Sequence, residues 1–247
     1  MIDPYVLLAP ILLLGIVALL GFVGCDIVLG LNEIYPPGKV VHLQTVTTTG
    51  TGTTLAASLP DMSGGQSQLV VVTVEWGGNA TVTLSGAAFT EVETDNLNPQ
   101  KVATFFANNV IGAITVTSTL SAPTTTEANL LVSAYNLTSG NPDAAGSANG
   151  SGTDAVLPMQ TSGLKAGDLV YSVVIARSGG AVLSGALVPG SAPSFMAEAG
   201  QGSYHLVQDY LLESADVAAG QINVTATNTT GTPTSLWYVF AMRISHA

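Results

Sequence analysis

Basic residues are scarce in this 247-residue chain, with only 5 Lys and Arg against 16 Asp and Glu and a formal charge of -11. Neutralising phosphates takes clustered Lys and Arg, so the balance argues against nucleic acid as a partner. Cysteine occurs once, at Cys25, which excludes an intramolecular disulfide framework and a thiolate zinc cluster. Charged residues make up 9% of the chain, yet 47% of it is hydrophobic and apolar runs recur from end to end, which rules out disorder. His42, His205 and His246 are the only histidines and show no zinc-binding spacing. No Gly-x-Ser-x-Gly elbow, phosphate loop or Cys/His pairing occurs, and nothing marks Asp209 and Glu213 as a catalytic pair. The chain therefore reads as a non-enzyme that needs no cofactor and no resident metal.

What the chain does have is a long apolar start. From Tyr5 to Gly24 no side chain is charged. As a helix, such a run spans ~30 Å, the thickness of a bilayer core. Asp3-Pro4 suits a helix start, because a carboxylate caps free N–H groups and proline at the first position gives up only an unused one. Pro10 predicts a kink, and Pro36-Pro37-Gly38 closes the segment. A cleaved secretory signal has a basic leader and a shorter apolar core than this. Phe22-Val23-Gly24-Cys25 resembles a lipobox, which makes Cys25 a candidate for lipidation. A permanent single-span anchor fits by length. Gly15, Ala18, Gly21 and Gly24 add a fourth reading, since small residues at every third position let helices approach closely. That spacing winds round the helix and suits several partners at once. Asp3 either caps its own helix or pairs with a neighbouring chain's N-terminal amine, because a buried charge needs a partner.

After Gly38 the composition turns to Thr, Ser, Gly, Asn, Ala and Val. Residues 36–67 read as a Thr/Gly-rich connector or edge strand, following an N-terminal helix over 1–35 and preceding a β-sandwich domain over 68–247. Strands are predicted near Val40–Thr48, Leu69–Trp76, Ala80–Leu84, Phe89–Thr94, Val102–Ala107, Ala113–Ser118, Ala128–Tyr135, Ala155–Gln160, Asp168–Ala176, Tyr204–Leu212, Gln221–Thr227 and Ser235–Ile244. Leu69–Val74, Leu169–Ile175 and Trp237–Met242 are almost continuously apolar and predict strands covered on both faces. Gly140–Gly152 reads as a glycine-rich loop. Many short strands with regular turn signals point to a mainly β fold, a jelly-roll or Ig-like sandwich.

Several short motifs fall in a recognisable order: Trp76-Gly77-Gly78, Phe89-Thr90-Glu91-Val92, Gly112–Thr117, Ala134-Tyr135-Asn136, Gly167–Val170 and Trp237–Ala241. Together they resemble a β-sandwich module common in secreted bacterial and archaeal surface proteins, which implies a surface location rather than a reaction. An N-terminal apolar helix joined to a β-sandwich head also resembles archaeal-type pilins. That resemblance implies a structural subunit of an extracellular, pilus-like homopolymeric filament. The chain would be exported through the cytoplasmic membrane, its helix packed in the filament core and its sandwich outside. Its partner is then itself, with membrane before assembly and host surface or glycans as further contacts. The alternative is a membrane-anchored or lipidated adhesin whose sandwich binds glycans.

Five N-x-S/T sequons mark candidate glycosylation sites at Asn79, Asn136, Asn149, Asn223 and Asn228. Asn149 in the glycine-rich loop and Asn228 in a turn are expected to be the most accessible. Glu91, Glu93 and Asp95 alternate along one predicted strand, so they are expected on one face, either as a solvated acidic surface or as oxygen ligands for Ca²⁺. Trp76 and Trp237 offer a sugar platform only if exposed; large aromatics at strand ends are more often core.

Overall fold

The computed structural model describes residues 39–247 apart from 62–63, 97–99, 125–126, 137–140, 153, 162–163, 177–182, 189–194, 200–203, 212–219, 229–233 and 247. The apolar run, with Asp3, Gly15, Ala18, Gly21, Gly24 and Cys25, lies outside the described residues. The compact body is Gly38–Ala247, and its described part is antiparallel β structure throughout.

Among the described residues sixteen strands follow in two sets of eight. The first set is β1 (His42–Gly50), β2 (Thr54–Leu59), β3 (Ser67–Gly77), β4 (Val82–Ser85), β5 (Thr90–Asn96), β6 (Gln100–Ile111), β7 (Ile114–Leu120) and β8 (Ala128–Asn136). The second is β9 (Asp143–Gly152), β10 (Asp154–Thr161), β11 (Leu169–Ala176), β12 (Leu183–Val188), β13 (Phe195–Ala199), β14 (Tyr204–Leu211), β15 (Gly220–Asn228) and β16 (Thr234–Ile244). The first set makes a five-stranded sheet, β1-β8-β3-β6-β5, and a three-stranded sheet, β2-β7-β4. The second makes β9-β16-β11-β14-β13 and β10-β15-β12. Adding eight to every label of the first half reproduces the second. Each half has the strand order of a jelly roll, so the body is one topology used twice.

The duplication is also written in the chain. Leu84-Ser85-Gly86-Ala87, which begins on β4, returns as Leu183-Ser184-Gly185-Ala186 on β12. Ile114-Thr115-Val116-Thr117-Ser118-Thr119 on β7 returns as Ile222-Asn223-Val224-Thr225-Ala226-Thr227 on β15. Gly50-Thr51-Gly52-Thr53 returns as Gly150-Ser151-Gly152-Thr153. Gly86 shows why such a position persists. Its φ is +113° and an added Cβ would overlap the Thr115 carbonyl, so both the backbone conformation and the space require glycine there.

Alternation along the strands builds two cores. Val70, Val72, Val74 and Trp76 of β3, with Ala103 and Phe105 of β6 and Leu130 and Val132 of β8, pack against Leu55, Ala57, Leu59, Ile114, Val116 and Leu120 of the three-stranded sheet. The opposite face of the same five-stranded sheet carries Leu69, Val71, Val102, Phe106, Leu131 and Tyr135. It packs against Leu169, Tyr171, Val173 and Ile175 of β11 and Tyr238, Phe240 and Met242 of β16. The two halves therefore meet through their five-stranded sheets. β1 runs beside β13 and β5 beside β9, the arrangement that an approximate two-fold axis passing between β3 and β11 generates. The runs 69–74 and 169–175 stand in the middle of their sheets, as their almost continuously apolar character predicts.

Residues 54–59, within the segment read as a connector or edge strand, form β2, an edge strand of the three-stranded sheet. Three other strands depart from the sequence reading. The expected loop Gly140–Gly152 contains β9, which pairs with β16 as the edge strand of its sheet. β12 and β13 were not foreseen either; Leu183–Val188 and Phe195–Ala199 are short and carry small residues that blur the alternation.

Candidate functional site

The acidic strand β5 was the best metal candidate, and its geometry breaks that reading. Glu91 pairs with Phe105 and Glu93 with Thr104, so Val92 is an extra residue, a β-bulge. A bulge shifts the alternation by one. Val92 packs into the seam between the halves, Glu93 and Asp95 follow it, and Glu91 turns to the other face, where its Oε1 accepts from Thr94 Oγ1 at 2.7 Å. The three acids do not share a face. Glu93 Oε1 instead accepts from Ser147 Oγ of β9 at 3.2 Å, a bond between the two jelly rolls. Burial first, then the charges of Asp95 and Glu93, push the Tyr238 phenol above its usual range. Among the described residues no three His, Cys, Asp or Glu side chains gather as metal ligands.

The seam itself is polar at its centre. Thr73 Oγ1 on β3 lies 3.0 Å from Thr104 Oγ1 and 3.1 Å from the Tyr171 hydroxyl on β11, all buried. Asn129 Nδ2 donates to Glu75 Oε2 at 2.9 Å, and Thr49 Oγ1 donates to Asn129 Oδ1 at 2.9 Å. The rings of Tyr135 and Tyr171 meet edge to face, with centroids 6.4 Å apart. Of these contacts, the Thr73–Tyr171 bond and the Tyr135–Tyr171 ring pair join the two halves, and the others tie strands of the first half together.

The histidines are dispersed. His42 Nε2 lies 2.9 Å from Thr45 Oγ1, and its ring meets Tyr135 edge on at 5.6 Å. Burial lowers its pKa to about 4, only partly offset by a backbone hydrogen bond at Gln44. His205 is on β14. His246 Nδ1 lies 2.9 Å from Asp168 Oδ1.

The sequons separate cleanly. Asn79 is exposed in a bend. Asn149 is also exposed, but it pairs with Tyr238 along β9 instead of lying in a loop. Asn223 lies within β15, the middle strand of its sheet, and Asn228 ends that strand instead of occupying a turn. Asn136 is engaged. Its Oδ1 accepts from Val41 N at 2.7 Å, its Nδ2 donates to Lys39 O at 2.9 Å, and its own N donates to Val41 O at 3.1 Å. Val40 N donates to Gly167 O at 2.8 Å, in the turn that leads into β11. Asp168, buried in that turn, accepts from Lys165 N at 2.8 Å and from His246 N at 3.2 Å. Sequence reasoning placed Asn136 among glycan acceptors and missed this bracket, because it joins positions 95 residues apart.

Trp76 makes no platform, being 2% exposed and donating to Ala80 O at 2.8 Å; the half-buried Trp237 ring packs where a Cβ on Gly150 would come within 2.6 Å. Among the described residues, no helix is long and apolar enough to cross a membrane.

No protein-family model matches the chain, and no curated protein matches it in sequence. Among solved structures, the major capsid protein P2 of bacteriophage PM2 is similar at 9% identity and a TM-score of 0.27, over 84% of this chain and 97% of that one. A protein of Eubacterium rectale described as secreted reaches 11% identity and a TM-score of 0.26, over 81% and 74%. Oxalate decarboxylase from Bacillus subtilis follows at 7% and 0.19, over 85% and 76%. At such scores none of the three carries fold or function over to this chain.

Proposed function

We propose that the protein is a non-enzymatic structural subunit of an extracellular homopolymer, with the apolar segment over 1–35 packed among its own copies in a filament core and the doubled jelly roll outside. The observation that carries this reading is the outer face of the β2-β7-β4 sheet. Thr54, Ala56, Ser58, Thr83, Ser85, Thr115 and Thr119 are exposed on it, and none of them is charged. In a chain of charge -11, this is a surface on which copies pack without like-charge repulsion. The leading segment supplies the second driver, since an apolar helix with small residues leaves water for a protein core as readily as for lipid. Repeated head-to-tail contacts that do not close yield a filament. The adhesin alternative gains no aromatic groove from Trp76, which is buried.

The test is electron microscopy of the native cell-surface fraction with N-terminal sequencing of the subunit. Ordered filaments whose subunit keeps the 1–35 segment are expected. Detergent-soluble monomers, or lipid on Cys25, would overturn the polymer.

A further inference from the structure

We propose that Asn136 is a positioning residue that brackets the entry of the chain into its body, and that it is closed to glycosylation despite its sequon. The residues that follow the apolar segment, Lys39 to Val41, form no strand of their own, yet their backbone is held four times. Asn136 takes Lys39 O, Val41 N and Val41 O, and Gly167 takes Val40 N. Asn136 ends β8 of the first jelly roll, while Gly167 precedes β11 of the second. A three-residue strap is thus fastened to both halves at once, and Val40 between the fastenings is fully buried. The Gly167 side is itself braced, because the neighbouring Asp168 carboxylate holds the turn at Lys165 and the far end of the chain at His246.

The chemistry selects asparagine. One side chain must accept from an N–H and donate to a carbonyl two residues apart, and a carboxamide offers both in one plane. Aspartate keeps the acceptor and loses the donor; alanine loses both. A glycan would replace one of the two hydrogens of the same Nδ2 that binds Lys39 O, so a sugar on Asn136 has to be fitted against the strap. Tension on the segment before Lys39 enters the body at this strap and is shared by both jelly rolls, whatever holds that segment at its other end. The inference does not rest on the polymer reading.

Trypsin reads the strap directly. The chain has only 5 basic residues, and one of them, Lys39, is the first residue of the strap. Cleavage after it needs the strap to open, because a protease takes its substrate as extended, unpaired backbone. With the full chain in mild detergent, the wild type is expected to resist cleavage at Lys39. Asn136→Ala should be cut there at least about tenfold faster, and Asn136→Asp at an intermediate rate. Cleavage after Lys101 in β6 serves as the folding control and should stay unchanged in both variants. Equal cleavage at Lys39 in wild type and Asn136→Ala, with Lys101 protected in both, would overturn the bracket. So would a glycan found on Asn136 of the native protein by mass spectrometry. If Asn136→Ala also exposes Lys101, the Asn136→Asp variant decides: cleavage at Lys39 no faster than wild type overturns the bracket, and selective acceleration there supports it.

Discussion

The two faces of the β1-β8-β3-β6-β5 sheet are buried to the same depth but furnished differently. Towards its own three-stranded partner, β3 presents Val70, Val72, Val74 and Trp76, and β8 presents Leu130 and Val132, all apolar. Towards the second jelly roll the same strands present Thr73, Glu75, Asn129 and Ser133 among Leu69, Val71 and Leu131, all buried. The first face is a folding core, where shape and apolar area suffice. The second is a joint. Apolar surface makes the halves adhere, while the buried Thr73–Tyr171 hydrogen bond, costly when unmade, restricts the register between them.

The largest test of this contrast is Leu130→Ala on the apolar face. It should cost about 2–5 kcal/mol by removing a fully buried side chain, measured by urea unfolding. Its neighbour Leu131 is equally buried but faces the joint. Leu131→Ala should cost less than Leu130→Ala and should speed amide exchange in both β3 and β11, whereas Leu130→Ala should leave β11 protected. Equal exchange in the two variants would erase the distinction between core and joint.

Tyr171→Phe strips the hydroxyl that meets Thr73 across the joint and should cost about 1 kcal/mol in the same unfolding assay. Combined with Thr73→Val, which also takes a partner from Thr104, it should cost less than the sum of the two single changes, because both remove the same bond. Full additivity of the two changes would mean that the bond contributes nothing specific.

The smallest effect concerns His42, beside Tyr135 at the margin of the joint. Its folded pKa, about 4, lies below its ordinary 6.5. The neutral ring is the one that the fold accepts, so the unfolded chain binds the proton more readily between these values. Its contribution is complete above pH 6.5 and declines as the pH falls towards 4. His42 keeps some contact with solvent, which makes the loss a fraction of that for a wholly buried imidazole. His42→Gln should flatten the stability profile between pH 4 and 6.5, and an unchanged slope would assign that window to other groups.

Most strands were legible because alternation such as Ile114-Thr115-Val116-Thr117 writes burial directly into the order of residues. β9 was not, since Ala, Gly and Ser carry too little apolar contrast to show a period. The repeat was present as Leu-Ser-Gly-Ala and Ile-x-Val-Thr-x-Thr pairs, but such fragments carry the turns and faces of any jelly roll and are short enough to escape notice singly. The acids of β5 failed for another reason. Alternation assigns faces only while the register is unbroken, and the bulge at Val92 is set by β6, not by β5 alone.

By itself the sequence determined the β character, the almost continuously apolar central strands, the scarcity of basic charge and the lack of recognisable catalytic motifs, because each depends on residue type and near neighbours. Only the tertiary structure decided that the strands form two equivalent jelly rolls, that Thr73 meets Tyr171, and that Asn136 binds backbone. Those outcomes depend on which distant segments touch, and a contact spanning ninety-odd residues leaves no local period for a single sequence to show.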